Sequence, residues 1–239
     1  MILEFGTSGM LYHSNKLMYD RGTNTLWHQF LGEPAVGPLA GSGIKLELIP
    51  MTVTTWADWL ALHPSTTVLA IDTGVFPPAS YLPEDDRQSI YFRYRNSQDT
   101  MFPVFRRSDL LPTKSQVLGL SLNGRARAYP LDLLSQQPVI NDTLAGRSLV
   151  IVAADQGVGA RAYHSGPQRF SLPPAGPAND GIMLIDEKGR SWRVEEDALV
   201  LVENPAERLP RLASRYSYWF GWLAFNPDTQ VYGGPDGVP

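Results

Sequence analysis

The chain has 239 residues, 43% of them hydrophobic and 18% charged, which excludes disorder as its main state and allows one large domain or two small ones. A formal charge of −4 gives no global electrostatic case for nucleic acid or an anionic membrane surface. With no cysteine, disulfides, thiolate metal sites, iron–sulfur clusters and cysteine nucleophiles are excluded.

Gly (21) and Pro (20) form about one residue in six, so many turns and few long helices are expected. Residues 1–5 show no basic region followed by an apolar one, as a secretory signal would, and the sequence opens directly as a strand. The expectation is that the chain lacks a segment its relatives possess. The longest apolar runs, 149–154 and 198–202, fall far short of the ~20 residues of a membrane span.

Segment 5–29 is the best candidate site. Ser8, Tyr12, Ser14, Asn15, Asp20 and Gln29 place hydroxyls, amides and one carboxylate along two adjacent strands beside Trp27. Alternation puts Tyr12 and Ser14 on one face, His13 and Asn15 on the other. Such a face could hydrogen-bond a small polar ligand, whereas the bland alternative has these groups satisfy turns and strand ends. The four histidines show no metal-ligand spacing; His13, His28 and Asp20 are the one set that could meet across a hairpin.

Thr54 or Thr55 can cap a helix in which Trp56, Trp59, Leu60 and His63 form one apolar stripe, ended by Pro64. Residues 67–72 then read as a buried strand. A connector over 77–114 contains prolines, an alternating half-buried strand at 89–95 and an edge strand or loop at 102–107. Arg93, Arg95, Arg106 and Arg107 interleave with aromatics there, but Asp85, Asp86, Asp99 and Asp109 are close by, which favours a solvated face over a nucleic-acid patch. From 117 the pattern is orderly: Asn123-Gly124 joins two alternating runs into a hairpin, residues 130–134 make a helical turn, and Ala145-Gly146 leads into an apolar strand at 149–153 that pairs with 160–163.

Residues 219–231 match residues 56–68 at seven of thirteen positions (two Trp, Leu, Ala, Pro, Thr and Val). Upstream, Asp186 to Trp192 resembles Asp20 to Trp27: a strand, a Gly-containing turn and a strand with an inward Trp. The second copy has Ser171–Asn179 where the first has its polar segment, so features found in one half only are where function would sit. Neither residues 6–9 nor Ser42-Gly-Ile-Lys45 carries the context of a serine nucleophile, and 157–159 is a turn, not a phosphate loop.

Residues Phe5–Asp20, Leu26–Gln29, Gly37–Gly41 and Thr54–Trp56, with Arg125–Pro130, Val139–Thr143 and Trp219–Trp222, resemble DUF3179, a family of unknown function, over nearly the whole chain. Many of its members carry a Cys-Pro-x-Cys-like motif on a strand ahead of the segment matching Phe5–Gly9, which implies thiol redox chemistry for them. This chain has no such motif, and the equivalent strand of its second half has Asp155–Gly159 there.

The expected fold is α+β and β-rich: two pseudo-repeats of β-hairpins, each with a short Trp-bearing helix. Residues 1–76 would form the first, lacking N-terminal hairpins, and 115–239 the second. The expected function is a non-redox small-ligand-binding or regulatory module without a cofactor, in no assigned compartment, with a homodimer formed through the surface the missing hairpins leave. The alternatives are an enzyme using Asp20, His13 or His28, with or without a metal, and a fragment of a thiol-redox protein whose Cys motif lies upstream.

Overall fold

The computed structural model describes residues 3–77, 80–83, 85–153, 159–174 and 182–234. The turn expected at 157–159 and the segment 171–179 therefore lie largely outside the described residues. The chain divides into two units, residues 1–54 with 105–239, and residues 55–104.

In the larger unit, β1 (Phe5–Tyr12), β2 (Asn15–Asp20), β3 (Leu26–His28) and β4 (Glu33–Val36) form a four-stranded antiparallel sheet in chain order. In the smaller unit the described residues hold only α1 (Trp56–Leu62) and α2 (Ile90–Asn96). Thr55 caps α1, accepting from the Asp58 N–H at 3.1 Å.

The remaining elements follow from Gln116. They are β5 (Gln116–Leu122), β6 (Arg125–Pro130), α3 (Leu131–Gln136), β7 (Val139–Leu144), β8 (Arg147–Val152), β9 (Arg161–His164) and β10 (Phe170–Ser171). Then come β11 (Met183–Asp186), β12 (Ser191–Val194), β13 (Ala198–Leu201), β14 (Arg208–Leu212), β15 (Ser214–Tyr218), α4 (Trp219–Phe225) and β16 (Gln230–Val231).

Eight of these strands form a sheet in the order β10-β11-β12-β13-β14-β9-β8-β7. It curls until its ends nearly meet. Asn141 on β7 closes the gap, donating from Nδ2 to the Phe170 carbonyl at 2.8 Å and accepting from the Phe170 N–H at 2.7 Å. A side-chain amide thus replaces the last ladder rung of a nearly closed barrel.

β8 shows why the apolar run at 149–153 has no alternation. Val150 and Val152 point into the barrel with Tyr163, Phe170, Leu184 and Trp192. Leu149 and Ile151 point outward against Leu118, Leu120, Tyr129 and Leu134. Both faces are covered, so every position is apolar. The outer cover is a second four-stranded sheet, β15-β5-β6-β16, whose far face carries Trp219, Trp222 and Leu223 of α4. A Cβ on Gly119 would overlap the Trp222 ring, so glycine there lets the indole lie on the sheet. Both β-hairpin turns read from sequence are present, with positive φ at Asn123, Gly124, Ala145 and Gly146.

Three expected elements differ. Residues 89–95 are not a strand: Ile90–Asn96 is helix α2. The aromatic–arginine alternation suits a strand only where a neighbour pairs with it, and the described residues of this unit contain none. For the same reason residues 67–72 form no strand and lie exposed, Leu69 at 87%. The stripe on α1 buries nothing, and Trp56 is 51% exposed, whereas α4 buries Trp219, Phe220, Trp222 and Leu223. The helical pattern is common to both segments; the sheet beneath α4 is what buries its indoles.

Candidate functional site

The first hairpin places the expected site residues in three different situations. His13 and Ser14 both have positive φ (48° and 63°), so they are the two central residues of the β1–β2 turn and not strand positions. The expected face shared by Tyr12 and Ser14 is corrected accordingly. Ser14 Oγ accepts from the Phe105 N–H at 2.6 Å, and Ser8 Oγ donates to the Leu17 carbonyl at 2.6 Å. Tyr12 stacks on His13, which in turn stacks on Phe105.

Asp20 is fully buried. Its Oδ2 accepts from Trp27 Nε1 at 2.9 Å and Thr23 Oγ1 at 2.7 Å, and its Oδ1 accepts from the Thr23 N–H at 2.6 Å. Burial pushes its pKa up, but these hydrogen bonds outweigh burial and hold it below the ordinary value of 3.8. Its role here is to fix the turn and the indole.

Ser14, Asn15, Trp27 and Gln29 line a cavity of about 840 Å³. One wall is the face of β1–β4 carrying Phe5, Met18 and Trp27. A second is the extended segment Leu46–Met51, and a third is β15 with the start of α4. The segment is tied to the barrel where it leaves the cavity. Arg211 donates to the Met51 carbonyl at 2.9 Å and to Thr52 Oγ1 at 2.7 Å, and the Gly159 N–H donates to the Val53 carbonyl at 2.8 Å.

Several polar groups on this cavity lack partners among the described residues. Asn15 Oδ1 accepts from Gln29 Nε2 at 2.8 Å, but Asn15 Nδ2 donates to nothing. His28 Nδ1 and Ser214 Oγ, on residues 8% and 5% exposed, are likewise unpaired. Arg215 ion-pairs with none of the described carboxylates; its guanidinium lies 5.5 Å over the Phe30 ring, and burial lowers its pKa. Groups left so are costly unless something binds them.

His13 and His28 lean toward neutrality. Burial lowers the His28 pKa, opposed by Glu33 and reinforced by His13, Lys45 and Arg215. Burial and then Arg106 lower that of His13. Among the described residues no three His, Asp or Glu side chains converge as metal ligands, and Asp20 does not join His13 and His28. No described helix is long and apolar enough to cross a membrane.

Sequence reasoning missed Met18, Leu46, Leu48, Ser214 and Arg215. The available signal was Arg215 in the aromatic run 215–220, a charge where the flanking side chains are built to be covered.

No curated protein and no solved structure matches the chain. A family model described as protein of unknown function (DUF3179) matches residues 1–229. With Phe5–Asp20, Arg125–Pro130 and Trp219–Trp222 all inside that match, the chain belongs to the DUF3179 family.

Proposed function

We propose that the protein is a non-redox binding module built from two copies of one β-unit, and that the cavity against β1–β4 is its binding site. Four matched geometries support the duplication. Phe5 meets Trp27 edge-to-face at 5.7 Å and 88°, and Phe170 meets Trp192 at 5.7 Å and 89°. Trp27 Nε1 reaches Asp20 at 2.9 Å and Trp192 Nε1 reaches Asp186 at 3.1 Å. Trp59 Nε1 donates to Thr66 Oγ1 at 2.9 Å and Trp222 Nε1 to Thr229 Oγ1 at 2.8 Å. The residues that cap the ends of α1 and α4, His63 and Asn226, have φ/ψ of −131°/68° and −130°/69°.

The observation that carries the binding reading is a pair of buried groups without hydrogen-bond partners among the described residues, Asn15 Nδ2 and Ser214 Oγ, beside Arg215, whose guanidinium lies over the Phe30 ring, around an otherwise apolar hollow. Their chemistry suits an occupant with an apolar body and hydrogen-bond acceptors or a negative group. An anionic apolar dye such as anilinonaphthalene sulfonate tests this directly. We expect saturable binding that quenches Trp27, weakened at least about fivefold by Arg215→Ala, a loss of roughly 1 kcal/mol. Absence of binding, or equal binding by the variant, overturns the site.

A further inference from the structure

We propose that β1–β4 is one half of a second barrel, and that its occupant is a polypeptide ribbon of the β7–β8–β9 kind that pairs along the free edge of β1. This rests on the duplication and on the cavity as a binding site, and goes beyond both in naming the partner.

β1–β4 and β10–β13 share strand order, and their first three strands share the pairing of the key positions. Phe5 pairs with Asp20 as Phe170 pairs with Asp186, and Met18 pairs with Trp27 as Leu184 pairs with Trp192. In the barrel, Phe170, Leu184 and Trp192 face inward and are covered by Val150, Val152 and Tyr163 from β8 and β9. In the first sheet the same three places are Phe5, Met18 and Trp27, and what lies over them is the cavity. The hollow therefore occupies the position of a barrel interior whose other wall is absent from the described residues.

The edges agree. β10 is closed by β7, whose Asn141 caps the N–H and C=O of Phe170. The Arg21 N–H donates to the Glu4 carbonyl at 2.8 Å, so by antiparallel alternation the N–H and C=O of the next residue, Phe5, point away from β2. They lie on an edge that pairs with no described strand. At the other edge, residues 45–49 stand the same distance ahead of Trp56 as β14 stands ahead of Trp219. They alternate half-buried Leu46 and Leu48 with exposed Glu47 and Ile49, a strand's pattern tied to the sheet where the Leu46 N–H donates to the Gly32 carbonyl at 2.8 Å, and no described strand pairs with the rest. The exposed Ile49 and Met51 line this opening, and the exposed Met10 and Leu11 lie on β1. A three-stranded ribbon with inward apolar residues and an asparagine on the strand meeting β1 would satisfy both edges.

The test uses a synthetic peptide spanning residues 139–164, the ribbon of the closed half, added to the full chain. A scrambled peptide and an Asn141→Ala peptide serve as controls, and residue-resolved amide exchange is the readout. The expected result is at least about tenfold slower exchange at Phe5, Thr7 and 47–49 with the ribbon alone, and displacement of the dye. Joining the same ribbon by a flexible linker ahead of residue 3 repeats the test without dependence on peptide affinity. If neither form protects these amides beyond the scrambled control, or if light scattering shows a homodimer burying the β1 edge instead, the ribbon is wrong. Dye binding that survives such a failure leaves the binding site standing, whereas loss of dye binding sinks that reading on its own.

Discussion

The Trp27 indole donates its N–H to Asp20 across 2.9 Å, tying one wall of the cavity to the carboxylate that, with Thr23, holds the β2–β3 turn. Trp27→Phe keeps the ring but leaves the buried carboxylate one donor short. The expected cost is about 1–3 kcal/mol, seen as a fall of several degrees in melting temperature. The effect also has a pH signature. Asp20 has its pKa lowered in the folded chain, so its contribution is present above the unfolded value of 3.8 and is lost as pH falls through the folded value. Wild type and Trp27→Phe should therefore converge in stability under acid. A gap that stays constant below pH 3.8 would show that the bond to Asp20 is not the cause.

A second buried carboxylate, Asp142, joins three elements. Arg127 donates to its Oδ1 at 2.6 Å, Tyr129 donates to its Oδ2 at 2.6 Å, and the other arm of Arg127 reaches Gln230 on β16 at 2.7 Å. The Tyr129 hydroxyl is held far above its ordinary pKa, by burial first and the Asp142 charge second. Asp142→Ala leaves Arg127, 7% exposed, as an uncompensated buried cation, and should cost about 3–5 kcal/mol. Tyr129→Phe alone should cost about 1 kcal/mol. In the double variant the Tyr129 hydroxyl has already lost its acceptor, so its further removal should cost less than in wild type. Urea denaturation of the four proteins in the cycle measures this; strict additivity would show that the two side chains do not interact.

The two tryptophan helices separate what sequence encodes from what the fold adds. Trp56 and Trp219 occupy matching positions, yet the first is 51% exposed and the second 1%. Trp219→Ala should cost about 3–5 kcal/mol, while Trp56→Ala should stay within about 0.5 kcal/mol. Equal losses in thermal denaturation would mean that α1 is buried against a partner.

The same contrast explains how much of the molecule was legible. The turns at Asn123-Gly124 and Ala145-Gly146 could be read because positive φ restricts the residue types that fit. The inward Trp27 and Trp192 could be read from strand alternation. Residues 67–72 and 89–95 could not, because a strand needs a neighbour and a local pattern does not reveal whether one exists. The place of Ser14 is hidden for a related reason: it sits two residues beyond β1, inside the turn. Half of the candidate site was visible as the polar segment 14–29. Arg215 and Ser214, two hundred residues away, reach the same hollow only through the topology that sets β15 opposite the first sheet.

His28 gives the last prediction. It is 8% exposed, stacks on Tyr12 with ring centroids 5.9 Å apart, and its Nδ1 has no hydrogen-bond partner among the described residues. Burial lowers its pKa below 6.5 despite the opposing Glu33 charge. The unfolded chain therefore takes up a proton at higher pH than the folded chain does. Stability should be flat above 6.5, fall as pH drops from 6.5 to the lowered folded value, and level off below it. His13 and His164, both also lowered chiefly by burial, act in the same direction. His28→Phe retains an aromatic ring against Tyr12 and cannot be protonated, so its melting temperature should decline less between about pH 7 and pH 5. Parallel curves for the two proteins would show that His28 is as easily protonated in the folded chain as in the unfolded one, and that its burial against Tyr12 and the cavity does not hold in solution.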